Sequence, residues 1–460
     1  MSETVKSFAE IKAAANAASE ARKRLTYLFD DSKFTELDPY AMTGSDLSGV
    51  VTAFGYVNNN PVYAFSQDIS VRKGAMTETH AKKISKVFSL AAKTGVPVVG
   101  IYDSFGADVS DSSAALTAYG YLLSKVSNLS GVVVQIAVVA GTCAGCAAML
   151  AESADLTIVT KDSELYVAAN ADVKDFAENA AKNGTACAVC DDDKAACELA
   201  KELISKLPQN NLSPVPMYEF DEPSFVGADN AEDAVKSVFD ADSAVELYPD
   251  YGKASYTALA TLGGATVGVV ATNKTDDKLT SADCSKIARF VRFCDAFAVP
   301  VITFVDTAGF EANDATEVQG AVKDMAKLAH AFAEATTIKL AVVTGKAYGP
   351  SFVALAGRGA NADLVFATEN AVISALDPIT AVEFLEHDEL KGASDLTAKR
   401  NELAAKYAKE NASAVIAAAN GCVDNIVENS GIRAALIDAV EIMAGKRVTR
   451  LPKKHSNIQL

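Results

Sequence analysis

The sequence feature that most limits the possible folds is a segment that occurs twice. The first copy begins at Ile136 and the second at Leu340, an offset of 204 residues. Each copy is an apolar run rich in β-branched residues, then a turn with two glycines four residues apart, then small apolar residues. The paired glycines are Gly141 and Gly145 in the first copy, and Gly345 and Gly349 in the second. This pattern predicts a buried strand that leads through a tight turn into a buried helix.

The similarity extends upstream of both turns. Residues 96–104 recur as residues 299–307, offset by 203, and both segments are apolar runs that end in an acid and a hydroxyl. The acid precedes the second glycine by 42 residues in the first copy (103 to 145) and by 43 in the second (306 to 349). A spacing kept this closely indicates that the chain is a two-fold repeat, with one αβ unit in each half.

Length and composition agree with two domains. A chain of 460 residues with 50% hydrophobic and 22% charged residues can bury a core in each half. We place the boundary in the acidic, proline-containing region 168–250 and predict an N-terminal domain of residues 1–235 and a C-terminal domain of residues 236–460. The net charge of -17 argues against a nucleic-acid partner, since phosphate backbones attract basic surfaces.

One basic cluster stands out in this acidic chain, close to a predicted helix that begins after Thr77. It contains Arg72, Lys73, Lys82, Lys83 and Lys86. The cluster could be a solvated helix face. Alternatively, it could bind the phosphates of a nucleotide-like ligand through charge-assisted hydrogen bonds.

The two repeated turns suggest chemistry at an oxyanion. A strand that turns through small residues into a helix leaves backbone N–H groups at the helix N-terminus, where the dipole favours negative charge. Two such turns could stabilise an enolate or a tetrahedral anion. A rival interpretation is a hydrolase, because Gly141, Cys143 and Gly145 fit a Gly-x-nucleophile-x-Gly elbow. The second copy has Ala347 in place of that cysteine, which argues against a nucleophile.

Three further patterns leave alternatives open. Residues 131–151 carry no charge and are long enough for a membrane helix, but they include the glycine turn. Two Cys-x-x-Cys pairs, Cys143/Cys146 and Cys187/Cys190, have a spacing that can bind zinc, although apolar surroundings favour buried free thiols and no metal centre is expected. The opening residues lack a signal-peptide pattern, which predicts a cytoplasmic protein without disulfides.

Several motifs in sequence order resemble the biotin-dependent acyl-CoA carboxyltransferases, over about residues 25 to 460. In the first half they are residues 21–30, 66–68, 78–84, 96–97 and 142–145; in the second half they are 288–297, 305–310, 331–336 and 346–349, with the tail 452–458.

The resemblance implies an α/β fold of two duplicated crotonase-like (ClpP/crotonase) spiral domains built from ββα units. It implies that the first half binds CoA and the second half binds biotin, and that Tyr348 contributes to cofactor binding. The active site would lie between halves of different subunits in dimers that assemble as a hexamer, a trimer of dimers. Backbone amides of Gly145 and Cys146, and of Gly349, Pro350 and Ser351, would be the catalytic groups.

The sequence departs from the family's pattern at four positions. Cys146 stands where a second glycine is usual, and it keeps an N–H. Pro350 replaces a glycine and has no N–H to donate. Phe105 and Asp108 replace a glycine and an arginine. An altered acyl pocket or an altered charge on the CoA side is therefore expected, and a catalytically inactive CoA-binding or scaffolding subunit is the alternative.

The expected reaction moves a carboxyl group between biotin and the α-carbon of a short acyl-CoA. The sequence contains neither a biotinylation site nor an ATP-binding carboxylase region, so a separate biotin carrier protein is expected. The further partner would be a biotin carboxylase subunit or a membrane decarboxylase subunit. The latter is slightly favoured, as in a methylmalonyl-CoA decarboxylase, which can pump sodium. Such a chain would be cytoplasmic or peripheral to a membrane complex.

Overall fold

The computed structural model describes residues 7–168 and 173–459. Residues 1–6, 169–172 and 460 of the predicted domains lie outside the described residues. The chain divides into two compact units, Met1–Pro216 and Met217–Leu460. The sequence analysis placed the boundary later, at 235/236. The intervening residues belong to the second unit because they pack there: the Tyr218 N–H donates to the Gly264 carbonyl at 2.9 Å, and the helix over 231–238 contributes to the second core.

The first unit is a mixed α/β structure. Its strands are β1 (Phe34–Leu37), β2 (Met42–Thr43), β3 (Asp46–Leu47), β4 (Val50–Val57), β5 (Asn60–Gln67), β6 (Val98–Ser104), β7 (Gln135–Ala144), β8 (Leu156–Thr160), β9 (Glu164–Tyr166) and β10 (Ala188–Cys190). Its helices are α1 (Phe8–Ala15), α2 (Glu20–Leu28), α3 (Glu78–Thr94), α4 (Ser113–Leu129), α5 (Cys146–Glu152), α6 (Phe176–Lys182) and α7 (Asp193–Lys206).

The second unit is also a mixed α/β structure, and it has additional helices near its C-terminus. Its strands are β11 (Val245–Glu246), β12 (Tyr256–Leu262), β13 (Ala265–Ala271), β14 (Val301–Thr307), β15 (Lys339–Tyr348), β16 (Leu364–Ala367), β17 (Val372–Ser374) and β18 (Asn425–Ile426). Its helices are α8 (Ala231–Val238), α9 (Ser281–Ala296), α10 (Asp314–Gln319), α11 (Ala321–Glu334), α12 (Gly349–Ala356), α13 (Pro378–Leu385), α14 (His387–Lys391), α15 (Leu396–Asn411), α16 (Ala414–Ala419) and α17 (Ile432–Met443).

The two large sheets have the same topology. The first has the order β1-β4-β5-β6-β7-β8-β10 with β9 beside β7, and the second has the order β11-β12-β13-β14-β15-β16-β18 with β17 beside β15. In each sheet the first three strands pair antiparallel and the remaining pairs are parallel. The duplicated α/β architecture predicted from the repeat is therefore confirmed.

The repeated segments are continuous apolar runs in the sequence because they form the buried parallel strands at the centre of each sheet. Every residue of β6 is buried, as are the first six residues of β7 and the first five of β15, because helices cover parallel sheets on both faces. Threonine caps the helices that precede them: the Thr77 hydroxyl accepts from the His80 N–H at the start of α3, and Thr280 accepts from Asp283 at the start of α9. The helix predicted after Thr77 is thus confirmed.

The uncharged stretch 131–151 forms β7 and α5 rather than one long helix. Among the described residues, no helix is both long enough and apolar enough to cross a membrane. The strand of this stretch is interior to the sheet, between β6 and β8, which accounts for its lack of charge.

Candidate active site

The first glycine turn joins β7 to α5. Gly145 has φ 55° and ψ -117°, a backbone conformation that residues with a Cβ rarely adopt. Its N–H donates to the Tyr166 carbonyl of β9 at 2.9 Å. Cys146 is the first residue of α5, so its N–H has no acceptor within the helix. Of the two predicted amides at this turn, only that of Cys146 is therefore suited to bind an oxyanion.

The second turn joins β15 to α12. Gly349 has φ 49°, and a Cβ there would lie 2.7 Å from the Ala375 carbonyl oxygen. Pro350 is exposed and occupies the first turn of the helix, where its missing N–H does no harm to the fold. The buried Ser351 uses its hydroxyl to donate to the Tyr348 carbonyl at 2.7 Å. The backbone N–H groups of Gly349 and Ser351 both lie in the first turn of α12 and have no acceptor within the helix.

The acid at the end of each preceding strand holds the turn in place. Asp103 Oδ1 accepts from the Thr142 N–H at 3.1 Å, and Asp306 Oδ1 accepts from the Lys346 N–H at 2.8 Å. The glycine directly before the donating residue is Gly141 in the first turn and Gly345 in the second, and a Cβ there would overlap that carboxylate. Both acids are part of the repeat in the sequence, but no role was predicted for them.

Sequence reasoning missed Arg24, which supports the first turn. Its guanidinium donates to Asp103 Oδ2 at 2.8 Å, to Asp193 Oδ2 at 2.7 Å and to the Ala140 carbonyl at 2.9 Å. Burial raises the pKa of Asp103, and the ion pair with Arg24 opposes that rise. A sequence signal existed: the arginine lies on the buried face of α2, in register with Ala21 and Leu28.

The basic cluster predicted to bind phosphates is mostly engaged within the first unit. Arg72 donates to Asp108 at 2.7 Å and to Ser110 at 2.6 Å. Lys82 pairs with Glu78, and Lys86 pairs with Asp38, each at 2.7 Å. Lys73 lies over the Phe105 ring, with Nζ 5.3 Å from the ring centroid. A phosphate would have to displace carboxylates from three of these side chains, which leaves Lys73 as the most available cation of the five.

Lys83 does not fit the predicted role. It is 4% exposed, and its Nζ donates to the Val50 carbonyl at 2.6 Å. The equivalent residue in the other half, Lys286, is 2% exposed and donates to the Ser255 carbonyl at 2.8 Å. Both lysines therefore tie a helix to the sheet, and the prediction that Lys83 contacts phosphate is wrong because its amine faces the protein interior.

We expect the buried lysines to make stability depend on pH. Burial lowers the pKa of Lys83 to about 8, whereas an unfolded lysine titrates near 10.4. Between these values the unfolded chain binds more protons than the folded chain, so the free energy of unfolding rises with pH. In urea unfolding from pH 7.5 to 10, the slope of the unfolding free energy against pH should be lower in Lys83→Met than in the wild type, because the opposing contribution of buried thiols such as Cys143 is the same in both chains. Lys82→Met, on the exposed face of α3, is the control; an identical slope in the Lys83 variant would contradict the assignment.

The positions that depart from the family pattern near β6 form one loop. Phe105 is 48% exposed and Gly106, with φ 98°, accepts from the Met76 N–H at 2.8 Å. Arg72 holds the pKa of Asp108 well below its usual range. The negative charge at Asp108 is thus balanced within the unit.

A cavity of about 780 Å³ lies beside the second turn. Its lining is mainly apolar and comes from α11, α12, α15, β17 and the loops next to them, with Pro350, Phe352, Ala375, Tyr407 and Cys422 among the contributors. Tyr348 is buried immediately before the turn, and desolvation raises the pKa of its hydroxyl to about 12, so that it stays protonated at neutral pH. This volume is typical of pockets for small organic ligands.

The thiols do not support the rival hydrolase and zinc interpretations. Cys143 is completely buried, and burial raises the pKa of its thiol far above the usual range. A catalytic nucleophile needs an exposed, activated thiolate. In the described parts of the chain, no group of histidine, cysteine and acidic side chains is arranged to hold a metal ion, and the eight cysteines are free thiols.

The chain has two copies of one sheet, and each copy has a glycine turn that leads into a helix N-terminus. These features are typical of a class of enzyme that stabilises oxyanions. Within that class, the chain belongs to the carboxyl transferase domain family, whose model matches residues 14–458. It is therefore a carboxyltransferase of the biotin-dependent acyl-CoA class.

Relatives of similar length support this assignment. The chain is 34% identical to the methylmalonyl-CoA decarboxylase subunit alpha of Propionigenium modestum, over 97% of this chain and 94% of that protein. It is also 34% identical to a putative propionyl-CoA carboxylase beta chain of Bacillus subtilis, over 96% and 93%. The crystal structure of the transcarboxylase 12S hexamer with hydrolysed methylmalonyl-CoA matches with a TM-score of 0.89 and 31% identity, over 98% of this chain and 94% of that one. The predicted pair of crotonase-like domains is thereby confirmed.

Proposed function

We propose that the chain transfers a carboxyl group between the α-carbon of methylmalonyl-CoA, or of a similarly short acyl-CoA, and biotin on a separate carrier protein. Relatives named for methylmalonyl-CoA decarboxylation and for propionyl-CoA carboxylation support the substrate class. The observation that carries the proposal is the Cys146 N–H, which belongs to the first turn of α5 and has no acceptor within the helix.

In the decarboxylating direction the bond between the α-carbon and the carboxyl group breaks, and its electron pair moves into the thioester as an enolate. The Cys146 N–H donates to the enolate oxygen, where charge develops as the bond breaks. The carboxyl group would pass to a ring nitrogen of biotin, and the proton that this nitrogen gives up would go to the α-carbon, which completes the acyl-CoA product. The reverse direction would exchange the same two groups.

We assign CoA to the first unit and biotin to the second. The cavity beside Gly349 and Pro350 supports this assignment, because its lining is mostly apolar and its volume suits a small organic ring system. On the CoA side, Lys73 is the first candidate for a phosphate contact, with Arg72, Lys82 and Lys86 available only on exchange of their carboxylate partners.

Assembly and partners extend the proposal. The relatives are named as subunits, and the matched structure is a hexamer in a multienzyme core. We therefore expect a hexamer of this chain, a trimer of dimers with active sites between subunits, which binds a biotin carrier and either a biotin carboxylase or a membrane decarboxylase subunit. It would work in the cytoplasm or at the membrane surface of such a complex.

The test is carboxyl transfer by the purified chain from malonyl-, methylmalonyl- and glutaconyl-CoA to free biotin, followed as formation of the decarboxylated thioester. Turnover of methylmalonyl-CoA above the others is the expected result. Binding of all three thioesters without turnover of any would favour the inactive CoA-binding subunit that Pro350, Phe105 and Asp108 suggest as the alternative.

We expect Pro350→Gly to raise transfer to biotin, because it restores a backbone N–H at the position equivalent to Cys146. One oxyanion donor is typically worth about 10²-fold in kcat, so an increase of roughly tenfold is a cautious expectation. Steady-state kcat with free biotin is the measurement, and Pro350→Ala controls for the backbone flexibility that glycine adds, since it also restores the N–H. A loss of activity in both variants would mean that the proline shapes the cavity instead.

A further inference from the structure

Each glycine turn follows an irregularity in the sheet that has the same form in both halves. Between β6 and β7 the register passes from Tyr102↔Val139 to Ser104↔Cys143, so β7 advances four residues while β6 advances two. Between β14 and β15 the same shift occurs from Val305↔Val343 to Thr307↔Ala347. Extra residues of this kind bend a strand and re-aim the chain beyond them. The direction of the turn is therefore set at this irregularity.

One carboxylate occupies each irregularity. Asp306 Oδ1 accepts from the Lys346 N–H at 2.8 Å, and the space over Gly345 that a Cβ would take is filled by the same carboxylate. The Asp306 backbone N–H in turn donates to the Thr272 hydroxyl at 3.0 Å. Because Thr272 directly follows β13, this hydrogen bond holds the acid beside the end of that strand. The acid therefore connects the sheet to the backbone three residues before Gly349.

We infer that Asp103 and Asp306 are positioning residues for carboxyl transfer, which hold the two glycine turns so that their helix N-termini face the reacting oxygens. This inference rests on the proposed function. Neither acid is assigned a contact with substrate; each acts through the backbone of its turn. A donor displaced by about 1 Å can cost roughly 10²-fold in rate, so the position of the turn limits kcat.

The two acids differ in their charge partners, which decides where the inference is best tested. Asp103 forms a buried ion pair with Arg24 at 2.8 Å, so its substitution would also remove one of the two carboxylates that pair with this buried cation. In the described part of the chain, Asp306 forms no ion pair. Asp306→Asn therefore keeps an oxygen that can accept from Lys346 and removes only the charge, whereas Asp306→Ala removes the acceptor.

The experiment compares both Asp306 variants with the wild type as purified full chains. Steady-state transfer from methylmalonyl-CoA to free biotin gives kcat and KM, and hydrogen exchange reports protection of the Lys346 amide. We expect Asp306→Ala to lose roughly 10²-fold in kcat with KM for methylmalonyl-CoA within about twofold, and to lose amide protection at residues 344–349. Asp306→Asn should retain both within about tenfold.

A double variant tests whether Gly345 and Asp306 act as one unit. Gly345→Ala places a methyl group where the carboxylate lies, and we expect it to lose at least as much kcat as Asp306→Ala. The double variant should lose no more than the worse single variant, since the clash and the hydrogen bond disappear together. Losses that multiply, or equal losses in Asp306→Asn and Asp306→Ala, would overturn the inference.

Failure of the proposed function is distinguishable from failure of this inference. A wild-type chain without transfer activity would remove the proposed function, and the exchange data alone would then decide whether Asp306 fixes the turn. An active wild type with unchanged kcat and unchanged amide protection in Asp306→Ala would retain the function and remove the positioning role.

Discussion

Gly145→Val is expected to remove most of the carboxyl transfer activity while the fold remains. A Cβ at Gly145 would meet nothing closer than the Val167 carbonyl oxygen at 3.5 Å, so space is not the obstacle. The obstacle is the backbone, because φ 55° with ψ -117° is strained for a β-branched residue by about 1–3 kcal/mol. The chain would relieve that strain by re-routing the turn, and the Cys146 N–H would move away from the enolate oxygen. We expect kcat to fall by about 10²–10³-fold.

The control for this variant is Gly120→Val in the exposed middle of α4, where a Cβ would meet nothing within 4 Å. Circular dichroism and the unfolding midpoint should match the wild type within a few degrees for both variants. Transfer at the wild-type rate by Gly145→Val would remove the first turn from the mechanism.

Arg24→Met is expected to give the largest loss of stability. The arginine and Asp103 are both nearly buried, with side-chain exposures of 7% and 5%, and Asp193 is the second partner. Removal of the cation leaves a buried carboxylate unpaired, and breaking such a pair typically costs about 3–5 kcal/mol. The measurement is the free energy of unfolding of the variant in urea at pH 7.

Two comparisons make this result specific. Lys23→Met on the same helix breaks an exposed pair with Glu20 and should cost under about 1 kcal/mol. Arg24→Met combined with Asp103→Asn should recover part of the loss, because no buried charge then lacks its partner. A loss below about 1 kcal/mol for Arg24→Met alone would show that solvent reaches the pair.

The architecture could be predicted from the sequence because the duplication repeats both its pattern and its spacing. The strands β6, β7, β14 and β15 are apolar runs that end at an acid or a glycine turn, and a buried parallel strand has that pattern. The domain boundary was placed too late for the packing that the structure shows, because the linker is irregular and carries no periodicity. Its attachment to the second unit depends on contacts between residues far apart in sequence, such as the hydrogen bond from the Tyr218 N–H to the Gly264 carbonyl and the ion pair between Glu222 and Arg433.

Side-chain partners were harder to predict, since they join residues far apart in sequence. Lys83 is a basic residue in a basic cluster, as a phosphate ligand would be, yet its amine donates to a strand carbonyl. Arg24 contacts residues 79 and 169 positions away. Comparison of the halves could have corrected the first error, because Lys286 repeats Lys83 in a half that was not assigned to CoA. Nothing local to residue 24 identifies Asp193 as its partner.

The contact between acid and glycine also bears on how the two halves became different after duplication. Because the carboxylate fills the space of a side chain, the pairs Asp103–Gly141 and Asp306–Gly345 can only change together, and a lineage that alters one member alone loses the turn. The residues between and after the glycines carry no such constraint. They differ at every position: Thr142 and Lys346, Cys143 and Ala347, Ala144 and Tyr348, Cys146 and Pro350. The duplication thus left a short window of positions outside the acid–glycine pairs, and within this window the sequences of the two turns differ.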